Sequence, residues 1–323
     1  KVGEASEISL MNMPTGSGKT LCSIKYALER AVRSGKKRII YIIPFNSIID
    51  QTVGEFERIF QEDAEILRHQ SSFSYEDDDG NEQYSEDYRD AMKNATENWG
   101  QVKLIVTTAV QFFESIYSDR KKKLRKLHNM ADSILVFDEA HLMPQNWLQP
   151  CLQAVSFLTK YFHSEAVFLT ATMPDFKKLV QKYALSSSQV TDLIEDTSAF
   201  HNFKKCHYVK RGEVSQSQLL QEAQEQPSAL IIVNSKKMAK VLYQLCTGKK
   251  YHLSTYMAAC DRQRVIGEIK ADLELLERDF PGLQNVPEER RITIISTSLI
   301  EAGVDLDLFS VYRELTGLDS ILQ

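Results

Sequence analysis

Short runs dominated by apolar and β-branched residues punctuate the first part of this chain, and they constrain its fold more than any other feature. They are Ile8–Met11, Arg38–Ile43, Leu104–Thr107, Ile134–Phe137 and Ala166–Thr170. A strand with one wet face alternates apolar and polar residues, whereas a strand apolar throughout must be covered on both sides. Between these runs lie longer segments with apolar residues at helical spacing: Thr20–Val32, Ser47–Phe60, Ala109–Tyr117 and Leu148–Tyr161. The alternation predicts an α/β architecture, a parallel sheet with helices packed on both faces. Right-handed crossovers then gather the strand carboxyl ends along one edge, where folds of this class bind ligands.

The pattern restarts after a polar stretch, Ser186–Phe203. Strands are predicted at Cys206–Lys210, Ala229–Val233 and Ile292–Ser296, with helices at Gln216–Gln226, Lys236–Leu245 and Asp261–Glu277. A length of 323 residues suffices for two domains that each bury a core. The expected boundaries are 1–198 and 199–323. The two halves share a layout rather than a sequence, and no short-period repeat is visible.

The net charge of −5 argues against a protein that coats nucleic acid by bulk attraction. It leaves room for one that grips a few phosphates. Glu76–Asp90 carries eight acids and one base and reads as a surface loop. Arg120–Lys126 holds six bases in seven residues and reads as a solvated helix end or turn, with a phosphate contact as the alternative. The five cysteines, Cys22, Cys151, Cys206, Cys246 and Cys260, form no C-x-x-C pair. They are expected to be reduced and mostly buried thiols, not a zinc site or a disulfide frame. No apolar run approaches the ~18 residues that cross a bilayer, and the amino terminus lacks a signal-peptide layout. A cytoplasmic protein without a membrane partner is expected.

Met13–Thr20 reads MPTGSGKT, directly after the first predicted strand and at the opening of a helix. Gly16 and Gly18 let the backbone curl so that N–H groups point at a phosphate chain. Pro14, Thr15 and Ser17 complete the loop. Lys19 supplies positive charge to the β- and γ-phosphates, Thr20 offers a hydroxyl to Mg²⁺, and the helix amino terminus adds its dipole. Met13 stands where the general pattern has its first glycine. The fourth predicted strand runs into Asp138-Glu139-Ala140-His141. Asp138 is placed to hold Mg²⁺ through water, and Glu139 to orient and deprotonate the attacking water. His141 is placed to hydrogen-bond across the site and report the nucleotide state. Together the two motifs predict an ATP hydrolase.

A third element, Thr170-Ala171-Thr172, follows the next strand, and here the sequence resembles superfamily 2 helicases. The resemblance implies two RecA-like domains, with this motif coupling hydrolysis to domain movement. It also implies backbone contacts to a nucleic acid at Pro44-Phe45-Asn46 and Thr107-Thr108, although each could equally serve as a strand cap. Thr297–Asp305, after the strand Ile292–Ser296, resembles motif V, and Ala229–Asn234 less specifically resembles motif IV. By that likeness Ser296, Thr297 and Ser298 would meet nucleic acid. At the nucleotide, which would sit in a cleft between the domains, Gly303 would allow close backbone approach, and Asp305 would face the ribose or else hold the interdomain loop.

Within that superfamily the chain resembles the CRISPR-associated helicase-nuclease of type I systems. The likeness rests on Pro44–Ile49, the stretch from Phe113 to Pro144 (with RKLHNMADSI), Leu253–Met257 and Ser296–Gln323 (with LDSILQ). It implies a single-stranded DNA translocase acting in interference with the Cascade surveillance complex and an HD-type nuclease domain or subunit. The chain has no His-Asp dipeptide, so it is not expected to cut DNA itself. It also ends at Gln323, where the family's motif VI arginines would follow. The second domain is therefore expected to be truncated, and hydrolysis by the chain alone to be weak. A D-E-A-H-type RNA helicase and a nucleotide-gated scaffold that binds without translocating remain alternatives.

Overall fold

The computed structural model describes residues 7–14, 16–61, 65–69, 91, 94–100, 102–143, 145–170, 176–183, 190–194, 196, 198, 207–301 and 306–316. Two compact units divide the chain, Lys1–Lys205 and Cys206–Gln323.

Among the described residues, the first unit has seven strands. They are β1 (Ile8–Asn12), β2 (Arg38–Ile43), β3 (Ile66–His69), β4 (Leu104–Thr108), β5 (Ser133–Phe137), β6 (Glu165–Thr170) and β7 (Val190–Asp192). Their order is β3-β4-β2-β5-β6-β1-β7, and every pairing is parallel. The helices include α1 (Lys19–Ser34), α2 (Asn46–Phe60), α3 (Ala109–Tyr117), α4 (Lys121–Leu124), α5 (Leu148–Tyr161) and α6 (Phe176–Tyr183).

The two-residue period of a strand explains why the central runs are apolar at every position. In β2, Ile40 and Ile42 enter one core while Ile39, Tyr41 and Ile43 enter the other. In β5, Leu135 and Phe137 likewise face away from Ile134 and Val136. The first core is closed by Phe112 of α3, Leu152, Val155 and Leu158 of α5, and Val180 of α6. The second is closed by Ile24 and Ala27 of α1 with Ile49, Val53 and Phe56 of α2. Each large side chain so buried stabilises the fold by about 1.5–3 kcal/mol relative to exposure.

The second unit contains, among the described residues, β8 (Ser228–Val233), β9 (Lys249–Leu253), β10 (Ile292–Thr297) and β11 (Ser310–Arg313). They form a parallel sheet in the order β11-β8-β10-β9. Ala229, Ile231 and Val233 pack against α7 (Gln216–Gln224) and α8 (Lys236–Leu245). Leu230 and Ile232 join Ile269 and Leu276 of α9 (Ala259–Asp279) on the other face. Both units are thus α/β layers of the expected class.

The strand predicted at Cys206–Lys210 does not form. His207–Lys210 has no regular structure and is exposed throughout, while Cys206 lies outside the described residues. The segment offers only Tyr208 and Val209 as large apolar groups, both solvent-facing. It has no two-sided apolar character to bury. The run Arg120–Lys126 is a helical turn leading toward β5, so it sits at the amino edge of the sheet. Its bases pair locally: Lys123 with Glu114, Arg125 with Glu97 at 3.3 Å, and Lys122 with Glu97 at 3.9 Å. Cys151 and Cys246 are buried but Cys22 and Cys260 are exposed, so burial is less general than expected. The acidic stretch Glu76–Asp90 lies outside the described residues. No described helix is long and apolar enough to cross a membrane.

Candidate nucleotide-binding site

The chain leaves β1 at Asn12 and enters α1 at Lys19 through the glycine-rich loop. Gly16 and Gly18 have φ of +78° and +76°, the left-handed region open to a residue without Cβ. The Ser17 amide and hydroxyl both donate to Pro14 O, at 3.3 and 2.6 Å, which closes the turn. Gly18 caps α1 with no side-chain acceptor for the first-turn amides. Amides left in this way, at the positive end of a helix dipole, suit an anion. Thr15 lies outside the described residues.

The second half of the site hangs from β5. Asp138 N donates to Ile42 O at 2.8 Å, extending the β2–β5 ladder by one residue. Glu139 then turns into the left-handed region (φ +45°, ψ +50°), a conformation that costs a residue with Cβ about 1–2 kcal/mol. Glu139 Oε1 accepts a hydrogen bond from Lys19 Nζ. Lys19 Nζ also lies 4.0 Å from Asp138 Oδ1. Lysine, aspartate and glutamate from two motifs distant in sequence therefore meet at one sheet edge.

β6 lies between β1 and β5, so Thr170 at its end stands between the two halves. Thr170 O accepts from Met13 N at 3.0 Å, and Thr170 Oγ1 lies 3.2 Å from His141 Nδ1. His141 Nδ1 is also 3.4 Å from Glu139 Oε2. Ala171 and Thr172 lie outside the described residues.

Sequence reasoning missed the layer beneath the carboxylates. Asp138 Oδ1 accepts from Glu139 N at 2.9 Å, and its Oδ2 accepts from Tyr41 OH at 3.4 Å. Ser23 Oγ lies 3.0 Å from Tyr41 OH and donates to Thr20 O at 2.8 Å. Burial pushes the Asp138 carboxyl up to about 6, with the Lys19 charge opposing and the Glu139 charge adding to the rise. Burial first, and then Asp138, hold the Tyr41 hydroxyl well above its ordinary value. The clues were a single polar tip inside RIIYII and a serine one turn beyond Lys19.

The donor set fits a magnesium–triphosphate better than a protein-caged ion. No described group of three or more His, Cys, Asp or Glu residues is arranged to hold a metal. Two acids beside one lysine, with Asp138 disfavoured as an anion by burial, leave negative charge that a divalent cation would neutralise. Mg²⁺ characteristically takes one or two carboxylates and completes its shell with water and phosphate oxygens.

The candidate nucleic-acid contacts fare unevenly. Pro44, Phe45 and Asn46 stand at the carboxyl end of β2, with Phe45 and Asn46 exposed. Thr107 and Thr108 are buried, and their side chains serve the protein. Thr108 Oγ1 caps α3 by accepting from Gln111 N at 3.2 Å. Thr107 Oγ1 lies 3.0 Å from His69 Nδ1, and His69 Nε2 lies 3.0 Å from Lys126 Nζ. A lysine ammonium only donates, so Nε2 accepts, and the neutral ring donates from Nδ1 to Thr107. Of the two readings open for these threonines, the Thr108 hydroxyl takes that of a cap, and the Thr107 hydroxyl is engaged within the sheet. Ser296 is buried with its hydroxyl on Thr297 O at 2.8 Å, Thr297 is buried, and Ser298 is exposed. Gly303 and Asp305 lie outside the described residues.

A family model described as DEAD/DEAH box helicase matches residues 5–180. The CRISPR-associated nuclease/helicase Cas3 of Haloferax volcanii is 29% identical over 196 residues, covering 55% of this chain and 20% of that protein. A putative CRISPR-associated nuclease/helicase Cas3 of Methanocaldococcus jannaschii is 24% identical over 335 residues, covering 96% of this chain and 42% of that protein. The chain thus spans less than half the length of these relatives. Among solved structures, Cas3–AMPPNP from T. fusca matches with a TM-score of 0.72 at 17% identity, covering 98% of this chain and 41% of that one. S. cerevisiae Dbp5 bound to RNA and ADP BeF3 matches with a TM-score of 0.59 at 16% identity, covering 98% and 72%. At such identities the structural likeness speaks for the fold. The family model spans more than half of the chain, through the phosphate loop, the D-E-A-H box and the strand that joins them, and the chain belongs to the DEAD/DEAH box helicase family.

Proposed function

We propose that this chain is the ATP-driven motor of a CRISPR-associated nuclease/helicase, moving along single-stranded DNA. The observation that carries the proposal is the meeting of Lys19 with Asp138 and Glu139 at the carboxyl edge of one sheet. The similarity to Cas3 proteins over nearly the whole chain supports the CRISPR context. By that likeness its partners are the Cascade complex and an HD-type nuclease.

The residues divide the work as follows. The α1 amides and Lys19 hold the triphosphate, and Gly16 and Gly18 let the loop approach it closely. Thr20 and Asp138 hold Mg²⁺, which supplies charge neutralisation on the phosphates when bound. Lys19 is paired with Glu139 in the present structure. Engaging phosphate with Lys19 releases the Glu139 carboxylate to orient the attacking water and take its proton. His141, between Glu139 and Thr170, passes the change in that carboxylate to the end of β6.

Substitution tests this assignment. Lys19→Ala should abolish ATP binding. Glu139→Gln should keep binding and, in the intact helicase-nuclease, slow DNA-stimulated hydrolysis by roughly 10²–10⁴-fold, the usual worth of a positioned base. Turnover unchanged in Glu139→Gln would overthrow the assigned base. Stimulation by RNA in preference to DNA would transfer the chain to the RNA-remodelling class.

A further inference from the structure

The second unit presents an aromatic ring that its core does not use. Tyr256 is 81% exposed, yet Lys236 Nζ stands 3.9 Å from its ring centroid. The ring is placed by a turn in which Met257 N donates to Ser254 O at 3.1 Å, with Thr255 and Tyr256 at its tip. The lysine is placed by α8, whose cap Ser235 accepts from Met238 N at 3.4 Å.

The two residues follow strands that do not touch. Lys236 follows β8 and Tyr256 follows β9, and β10 runs between them. Thr297 pairs with Val233 on one side of β10, and Ser296 pairs with Leu253 on the other. The Lys236–Tyr256 contact therefore spans the carboxyl end of β10, where Ser298 is exposed. A cation over one face of an exposed ring leaves the rest of that ring to solvent, and Lys237 beside it is exposed as well. An exposed aromatic face with an ammonium group against it matches one unpaired base and a neighbouring phosphate.

We propose that Tyr256 is a stacking platform for one base of the bound single strand, with Lys236 holding both the ring and an adjacent phosphate. The proposal rests on the motor reading and adds to it a contact to a base, where the other candidate contacts address the sugar-phosphate backbone.

The experiment compares binding of the full chain to a fluorescent oligothymidylate and to an abasic strand of equal length and charge. Wild type should prefer the strand with bases. Tyr256→Ala should lose that preference through a drop of roughly 5- to 150-fold on the base-bearing strand, the worth of one stacked base. Affinity for the abasic strand and for ATP should be unchanged. Tyr256→Phe, which keeps the ring, should retain the preference and so exclude misfolding as the cause. Lys236→Ala should weaken both strands, the base-bearing one more because the ring loses its support, and lower the salt slope by about 1. Unchanged affinity in Tyr256→Ala, or equal loss on both strands, overturns the platform alone. Failure of wild type to bind either strand overturns the motor reading and the platform with it.

Discussion

The hydroxyl of Thr170 lies 3.2 Å from Nδ1 of His141, tying the end of β6 to the segment that follows β5. The same imidazole nitrogen is 3.4 Å from Glu139 Oε2. One ring thus contacts both the candidate base and the strand leading to the proposed coupling motif.

If this contact transmits hydrolysis, Thr170→Val and His141→Ala should each leave ATP affinity within a few-fold of wild type while lowering DNA-stimulated turnover. The losses should not add. A double-mutant cycle on turnover should yield a coupling of about 0.5–1.5 kcal/mol, the range for one hydrogen bond. Strictly additive effects would remove His141 from the coupling role.

Asp138 should be retained at a cost in stability. Its carboxyl titrates near 6 instead of the usual 3.8 because burial disfavours the anion. A raised carboxyl value means that the folded state holds the proton more tightly than the unfolded one. Stability is therefore lost as pH rises from about 4 to 6, and the loss persists at neutral pH. Asp138→Asn, which carries no charge, should raise the stability of the nucleotide-free protein by about 1–3 kcal/mol at pH 7 while abolishing hydrolysis. Thermal melts at pH 4 and pH 7 check this: the gain should shrink at the lower pH.

His69 gives the opposite sign. Burial, and then the Lys126 charge, lower its value to about 3 from 6.5, so the folded state excludes the proton that the unfolded chain accepts. Stability should fall as pH drops below 6.5, by a few kcal/mol in order of magnitude by pH 3. His69→Gln retains an acceptor for Lys126 but does not titrate. Its melting temperature should fall less steeply between pH 6.5 and 4 than that of wild type, and parallel curves would refute the assignment.

Two glycines should respond oppositely to the same change. Gly18 sits at φ +76° with nothing within 4 Å of the place a Cβ would take, so Gly18→Ala should destabilise by about 1–2 kcal/mol through the backbone alone. Gly54 lies inside α2 and also has open space for a Cβ. Gly54→Ala should stabilise by about 0.5–1 kcal/mol, because alanine removes freedom from the unfolded helix segment. Urea midpoints would separate the two signs.

The central strands were legible because burial on both faces leaves only apolar residues to write them. The edge strands were not. Ile66–His69, Val190–Asp192, Lys249–Leu253 and Ser310–Arg313 are short or mixed in polarity, as strands with a solvated flank can be, and none announces itself by pattern. The predicted strand at Cys206–Lys210 failed for the converse reason: Tyr208 and Val209, between His207 and Lys210, do not define a buried face. At the site, Lys19, Asp138 and Glu139 were visible because each stands in a short contiguous motif just after an apolar strand. Tyr41, Ser23 and the His69–Lys126 pair were hidden because their roles exist only through the strand register, which places Tyr41 beneath Asp138 and His69 beside Thr107.

Because all strands of the first sheet run the same way, the candidate nucleotide residues described there hang from a single rim. The opposite rim, where Gly35 turns the chain toward β2 and Lys121–Leu124 leads toward β5, holds none of them. That rim is the place for a surface tether, a reporter dye or an inserted loop. A handle there would let the protein be immobilised, and the proposed movement along DNA watched under load, with the rim that carries these residues left clear.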